Sequence, residues 1–545
     1  MEHPLEYTLS LPEESSGQEI GDPSADFLAL FYAVADLRRL AEKEPDRINA
    51  ETIRSIGGLL MDGRYSDERR GLFLYREASE ALAMCLQRCP DAVCARLALD
   101  NLLLSLKCTF GFAHRATAEA MGRLPVKIKP LGSTPKLDCL PLKLTWRRMR
   151  QHFSIRPSDK PRAFGRSLVV TLPEPRLLVL KFARKGESPS RLLHEIRWMH
   201  LLRGLEAEWK DPFDVPEPIV IDGHSLFRLR ELPSPLDADV HPGQYAVGFV
   251  SSPDYFCYPN TLSFSEADSF QEIISRNARL LADLAAMGIV HTAPIPLFHS
   301  RVQTHRRRDE GIYEWFRGGR LDRWLASCAY PNMGASGIRD IEHFTFYNGG
   351  PLGLYRYIGS HILSLLLVSG SFFRHQDGER VGLDDHGNPV DARDLFDRDL
   401  LKTTIKNIIS GYYEGFVGSP MTVELPLDMD SLADRMIDEM GVDRHMEEIL
   451  RVADQMHMSD ADFDAFLEVR GFTRDHRRNL VRGEGDITLL TGPHLGNFND
   501  TISLPELTLA TETISALCMA GRYWNETHGA GNATEFSSTS SALAN

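Results

Sequence analysis

Apolar residues recur at helical spacing from residue 24 to about 122. One run is Phe27, Leu30, Phe31, Val34 and Leu37; others are Ala81, Leu82, Met84, Cys85 and Leu97, Leu99, Leu102, Leu103. Breaks at Pro45-Asp46 and Cys89-Pro90-Asp91 separate the runs and predict several antiparallel helices, HEAT-like in arrangement, without a clean repeat motif. A Pro- and Lys-punctuated linker follows, from Pro125 to Pro141. Beyond it the pattern turns to that of strands. Ser167–Leu172 and Arg176–Ala183 flank the turn Pro173-Glu174-Pro175 and read as a hairpin. Ser188–Leu205 reads as a helix with Ser188 or Ser190 as N-cap. Two more strand candidates, Pro218–Ile221 and Ser225–Arg230, enclose Asp222-Gly223-His224. A Pro/Gly/Tyr-rich insertion covers about 236–262. Phe270–Met287 is then a long amphipathic helix closed by Gly288-Ile289-Val290-His291. Tyr355–Arg374, Leu400–Val417, Leu432–Gly441, Met446–Met456 and Ala461–Val469 complete the helical patterns.

Composition narrows the function classes. The 545 residues are 43% hydrophobic and 25% charged, values of a globular protein and not of a disordered or collagenous one. At roughly 100–200 residues per domain, about three domains are expected. A net charge of −15 provides no electrostatic footprint for nucleic acid. The eight cysteines include no C-x-x-C pair and read as buried thiols of a reducing compartment, zinc or disulfides being the minor alternative. Met1–Gly17 is acidic and lacks a signal-peptide pattern. The most apolar stretch, Ile358–Gly370, is shorter than the roughly 20 residues a bilayer requires. The expectation is a cytoplasmic chain with no membrane span, or one exported as an effector by a signal not legible in the sequence.

The order hairpin, helix, two strands, Pro-marked hinge, long helix, Gly-Ile-Val-His resembles that of a protein kinase. That resemblance implies an α+β, bilobal, protein-kinase-like fold: a small β-rich lobe and a helical large lobe, preceded by an all-α helical domain. The boundaries are a disordered N-terminus (1–23), the helical domain (24–124), the small lobe with its linker (125–235), the large lobe with insertions (236–425), a C-terminal helical region (426–528) and a disordered tail (529–545). Lys181 stands near the end of the second hairpin strand, and Glu195 lies fourteen residues later inside the next helix. In kinases such a lysine holds nucleotide phosphates and the helix glutamate fixes it by an ion pair. An ammonium buried in an apolar strand needs a counter-charge or an anionic ligand. In isolation the pair also fits an outward-facing strand lysine beside a surface glutamate. The catalytic loop departs from the kinase pattern: in His291-Thr292-Ala293-Pro294-Ile295-Pro296-Leu297-Phe298, Ala293 replaces the catalytic Asp and Phe298 the Asn. Alanine cannot accept a hydroxyl proton, so the chain reads as a pseudokinase. Asp340-Ile341-Glu342 stands where kinases have Asp-Phe-Gly, with Asp340 as magnesium ligand and Glu342 as a possible helper. The intervening insertion, Arg301–Gly337, is rich in arginine and aromatic residues and reads either as an anion site or as a solvated basic loop.

Over about 150–420 the chain resembles the SidJ-related pseudokinases, which have a kinase-like fold but use ATP to adenylylate a protein carboxylate and then attach glutamate. The spacing carries the resemblance: Arg166 fifteen residues before Lys181, Glu195 fourteen after it, and Asn332 eight before Asp340. The resemblance implies catalysis by Lys181, Asp340, Arg166 and Glu195, with metal binding by Asp340, Asn332 and Glu342. It also implies a second, migrated nucleotide site using His291 and Arg320, with Arg301 and Tyr313 as companions. ATP and Mg²⁺ are the implied cofactors. A protein substrate or activator is implied without being identified. The family's later metal-site Asp is His343 here, so Glu342 substitutes for it or the metal site is incomplete. No Ile-Gln-x-x-x-Arg pattern lies near 430–480, so calmodulin dependence does not carry over. The alternative function is a catalytically inactive pseudokinase that binds nucleotide or acts as a scaffold, and a third is a kinase with His291 as its base.

Overall fold

A computed structural model describes residues 23–61, 69–108, 112–128, 133–164, 166–205, 209–232, 240–259, 262, 264–294, 331–374, 398–421, 425–443, 472–474, 480–482 and 504–529. The fold is mixed α/β. Five helices come first: α1 (Pro23–Lys43), α2 (Ala50–Met61), α3 (Arg69–Arg88), α4 (Ala92–Cys108) and α5 (Phe112–Gly122). Then β1 (Leu142–Leu144) leads into a short helix, α6 (Trp146–His152), capped by the Thr145 side chain, which accepts from the Arg148 N–H. The strands β2 (Arg162–Phe164), β3 (Ser167–Thr171) and β4 (Leu177–Phe182) precede α7 (Ser190–Gly204). Next are β5 (Glu217–Pro218), β6 (Phe227–Leu229), β7 (Tyr245–Ser251), α8 (Ala267–Ala286), β8 (Ile289–His291), β9 (Met333–Gly334), β10 (Gly337–Ile338) and β11 (Phe344–Phe346). The remainder is α9 (Pro351–Arg374), α10 (Arg398–Val417), α11 (Met429–Asp438), the hairpin β12 (Phe472–Arg474) and β13 (Leu480–Arg482), and α12 (Leu504–His528).

Seven strands form one sheet in the order β1-β6-β7-β4-β3-β2, with β5 also on β7. Among the described strands, only β1 and β6 run parallel. The period of two in β4 decides what each face does. Leu178, Leu180 and Phe182 enter a core with Met149 of α6 and Ile155 just beyond it, on one side of the sheet. Val179 and Ala183 belong to the other core, with Leu192, Ile196 and Met199 of α7. Lys181 has the same parity as Val179 and Ala183, so the strand delivers its ammonium to the α7 side.

A single apolar cluster runs from α1 through α7, α8, α9 and α10 to α12. The N-terminal helices and the C-terminal helix α12 are fastened together inside it. His114 Nε2 lies 2.7 Å from the Thr513 hydroxyl, and Arg115 lies 3.7 Å from Glu512. The long-range packing of α12 against α5 had no counterpart in the sequence reading.

Four local expectations are corrected. The 236–262 stretch read as an insertion contains β7, which pairs with β4 over Leu177–Phe182 and is central to the sheet. Pro218–Ile221 yields only the two-residue β5 and an isolated bridge from Ile221 to His224. Neither Ser188 nor Ser190 caps α7; the capping position is Pro189, with no side-chain bond. The described cysteines are not uniformly buried, Cys139 being exposed and Cys89 and Cys257 half-buried; none forms a disulfide. Helix patterns at Met446–Met456 and Ala461–Val469 lie outside the described residues. One described helix is long and apolar enough to cross a membrane: it begins at Pro351, ahead of the stretch noted in the sequence, and 83% of its apolar window is buried within the fold.

Helices α8 and α10 approach closely because Gly411 and Gly415 lie on the contact line. A Cβ at Gly415 would sit 2.6 Å from the Arg279 carbonyl oxygen and 2.8 Å from Ala282 Cβ. Gly204, exposed at the end of α7, would meet nothing within 4 Å. Gly415→Ala is expected to destabilise the protein by roughly 1–3 kcal/mol through overpacking, despite alanine's better helix propensity. Gly204→Ala is expected to be neutral or slightly stabilising, and denaturant melts of the two variants check the contrast.

Candidate functional site

Lys181 is 7% exposed and Glu195 fully buried, which removes the outward-facing alternative. The lysine Nζ lies 3.0 and 3.1 Å from the two Glu195 oxygens. It also lies 3.5 Å from Asp340 Oδ1 and 3.7 Å from Glu342 Oε1. Three acids from two chain segments thus surround one ammonium. Glu195 reaches it because it lies on the α7 face that packs against the sheet; Asp340 and Glu342 reach it from the turn between β10 and β11.

Arg166 faces the same acids. Its Nη2 donates to both oxygens of Glu342, at 3.0 and 2.8 Å, and its Nη1 lies 3.5 Å from Glu187. Arg191, one turn ahead of Glu195 on α7, adds a contact of 3.2 Å to Glu342. The cluster therefore holds three cations and four carboxylates, and the balance sets the protonation of each. Burial opposes the charge on Lys181, but Glu195, Glu342 and Asp340 outweigh it and hold the amine above its ordinary pKa. Burial raises Glu195 to about 7, against the pull of Lys181 and with the help of the neighbouring carboxylates. Burial also works against Glu342, yet Lys181, Arg166, His343 and Arg191 overcome it and bring its carboxyl down to about 2.

Asp340 sits in the left-handed region, φ 46°, an uncommon conformation that aspartate tolerates better than most residues. The residue before it is clamped. Arg339 is buried with its guanidinium over the rings of Tyr255, Phe256 and Tyr258, at 4.6, 4.9 and 4.5 Å. Those rings come from the segment directly after β7, so that segment and the Asp340 turn are tied together. That stretch is also bound through its backbone, the Cys257 carbonyl accepting from the Ala335 N–H at 3.0 Å.

His291 occupies a different position from the one expected of a nucleotide-pocket residue. It is 1% exposed, and both ring nitrogens are engaged. Nε2 donates to the Arg339 carbonyl at 2.9 Å, and Nδ1 accepts from the Ala293 N–H at 3.2 Å. In this arrangement both ring nitrogens serve the backbone, and a ligand or proton-accepting role would require one of these bonds to be exchanged. Behind it, His361 Nε2 donates to the His291 carbonyl at 3.1 Å and its Nδ1 accepts from the Tyr412 hydroxyl at 2.7 Å. This relay of neutral imidazoles fixes the backbone of the loop. Ala293 is buried, and its carbonyl accepts from Asn332 Nδ2 at 2.8 Å. That bond pins Asn332 to the loop and leaves its amide oxygen as the atom able to meet a cation.

The structure therefore brings together Arg166, Lys181, Glu195, Asp340 and Glu342, and places Asn332 and His291 in the loop layer beneath them. Arg301, Tyr313 and Arg320 lie outside the described residues. Sequence reasoning missed Arg191 and the Arg339 clamp. Arg191 was available from its i, i+4 spacing to Glu195. The clamp was written in Tyr255-Phe256-Cys257-Tyr258, which the insertion reading passed over. Ligand atoms of Asp340, Glu342 and His343 lie within 4.8 Å of one another, a possible cation-binding group. Comparison with models of known protein families and with curated proteins returns no match for this chain.

Burial holds three histidines neutral: His291 falls to about 4, and His361 and His114 to about 3. Their folded pKa values lie below the unfolded value of about 6.5, so their contribution is complete above that pH and lost as pH falls toward 3. Burial raises Glu195 and Glu512 to about 7 and Asp283 to about 6, and these carboxyls act in the opposite sense as pH falls below those values. The two sets oppose each other between about pH 6.5 and 4, so the part due to one imidazole is read by comparison with a variant; Glu342 adds to the loss of stability below about 4.5. The melting-temperature difference between the protein and His361→Gln is expected to shrink as pH falls from 6.5 to 4, because only the former loses the His361 contribution. A difference that does not change over that window would contradict the buried-imidazole arrangement.

Proposed function

We propose that this chain has a bilobal, kinase-like catalytic fold of the SidJ-related pseudokinase kind. In this reading it is an ATP-dependent transferase that adenylylates a carboxylate and then joins glutamate to it. The observation that carries the reading is the Lys181 ammonium within ion-pair reach of both Glu195 on α7 and Asp340 on the β10–β11 turn, beside a loop whose would-be catalytic acid is Ala293.

The residues fit the expected ligands in chemical type. Magnesium takes oxygen donors, so Asp340 and Glu342 would hold it, while the His343 imidazole suits it poorly. Bound there, the ion would neutralise phosphate charge. Lys181 and Arg166 would bind the phosphates and stabilise the negative charge that develops during adenylyl transfer. Glu195 keeps Lys181 aimed into the cleft. The acceptor carboxylate oxygen attacks the α-phosphorus and pyrophosphate leaves; the glutamate amine then attacks the acyl carbon, loses a proton to solvent and displaces AMP. The carboxylate is already deprotonated, so this route tolerates alanine at position 293. The function is assigned to the cytoplasm or to an exported effector, acting on a protein partner.

A second reading, a non-catalytic pseudokinase, draws on two contacts. Both Glu342 oxygens are occupied by Arg166, and the Cys257 carbonyl by Ala335. A ligand would have to displace the first of these and do without the second.

Incubation with ATP, Mg²⁺ and glutamate, followed by mass spectrometry, distinguishes the readings. The expected result is an AMP adduct or added glutamyl units on the chain or on an acceptor protein, together with a rise in melting temperature on nucleotide binding. Asp340→Asn is expected to abolish the adducts and the magnesium dependence. It is a cleaner variant than Lys181→Ala, which leaves the buried Glu195 unpaired at a cost of about 3–5 kcal/mol. A thermal shift without adducts would favour the scaffold; neither effect would overturn both readings.

A further inference from the structure

On the sheet face opposite Lys181 lies a cleft of about 800 Å³ between α6 and the segment after β6. It shares no lining residue with the Lys181 cluster. Its wall includes Trp146, Arg147, Arg150 and Arg156, with Leu232 and one acid, Glu231, on the far side. In a chain of net charge −15, three arginines against one glutamate around a single concavity is a local reversal of sign. Arg156 is tied to Asp159 at 3.0 Å. Arg147 and Arg150 have no ion pair among the described residues. Guanidinium charge that no carboxylate offsets is available to an anion in the cleft.

The wall is rigid. Met149 and Ile155 are anchored in the sheet core, Thr145 caps the helix, and Ser154, at φ 52°, turns the chain so that Arg156 returns to the cleft. Positions 146, 147 and 150 lie on one face of α6 by their spacing of three and four. Two guanidiniums supply planar, bidentate donors for phosphate. Trp146 and Leu232 supply a surface for a flat or apolar body, and the volume is that of a small-molecule site.

We propose that this cleft is a second ligand site, which takes a small phosphorylated molecule with a planar body: phosphate on Arg147 and Arg150, body against Trp146. The site is independent of the Lys181 cluster. Calorimetric titration at low salt with AMP and with ribose 5-phosphate tests it, using the full chain, the Arg147→Ala/Arg150→Ala double variant and Asp340→Asn. The expected result is saturable binding of AMP, tighter than ribose 5-phosphate, retained in Asp340→Asn and weakened about tenfold or more in the double variant. The double variant's melting temperature checks that it folds; should it not fold, Arg147→Gln alone is expected to weaken AMP binding. No binding of either probe, or binding unchanged by the arginine substitutions, would overturn the site. Equal affinity for the two probes would overturn the planar-body assignment. Loss of binding in Asp340→Asn would assign the ligand to the other cluster and overturn the proposal.

Discussion

A lysine ammonium on the inner face of a β-sheet is tolerable only where negative charge meets it. Removing a charge from water costs several kcal/mol, and nearby opposite charge must offset that loss. Here the sheet presents Lys181 toward α7, and Glu195, Asp340 and Glu342 converge on it from two chain segments 145 to 147 residues apart in sequence. Arg166 and Arg191 then compensate Glu342. Each acid is stable in its burial because of the cations, and each cation because of the acids. The packing of α7 on the sheet and the conformation of the β10–β11 turn are therefore tied to one electrostatic cluster.

The same cluster explains why the surrounding loop is so firmly held. The Asp340 turn is fixed on one side by Arg339 among three aromatic rings and on the other by its carbonyl bond from His291. His361 and Tyr412 fix His291 in turn. The histidine's part is to shape the backbone beside the acid. The Asp340 carboxylate, held in a left-handed conformation, faces the ammonium beside Glu195 and Glu342.

Much of this was readable before the fold was known. Lys181 and Glu195 were legible because strand and helix periodicity placed them, and a buried charge announces its need for a partner. Asp340 and Glu342 were legible from a short motif and its distance from the loop. The pairing of β7 was hidden, because Pro, Gly and Tyr around it read as loop, and because a strand's pairing depends on a remote partner such as β4. The Arg339 clamp was hidden for the same reason: its rings lie more than 80 residues upstream. Arg191 shares the helical face of Glu195, but its partner Glu342 lies 151 residues away in sequence. The bonds of His291 were hidden because a histidine motif says nothing of which neighbours occupy its nitrogens. The arginines of α6 were legible as basic residues, but not as a cleft, which exists only once Met149 and Ile155 are anchored.

A crystal structure of the chain with a slowly hydrolysed ATP analogue and Mn²⁺ in place of Mg²⁺ tests the central claim most directly. The account predicts phosphates within hydrogen-bonding reach of Lys181 and an anomalous manganese peak coordinated by an Asp340 oxygen. Phosphates seated elsewhere, with Lys181 still closed onto Asp340 and no metal beside that carboxylate, would contradict it.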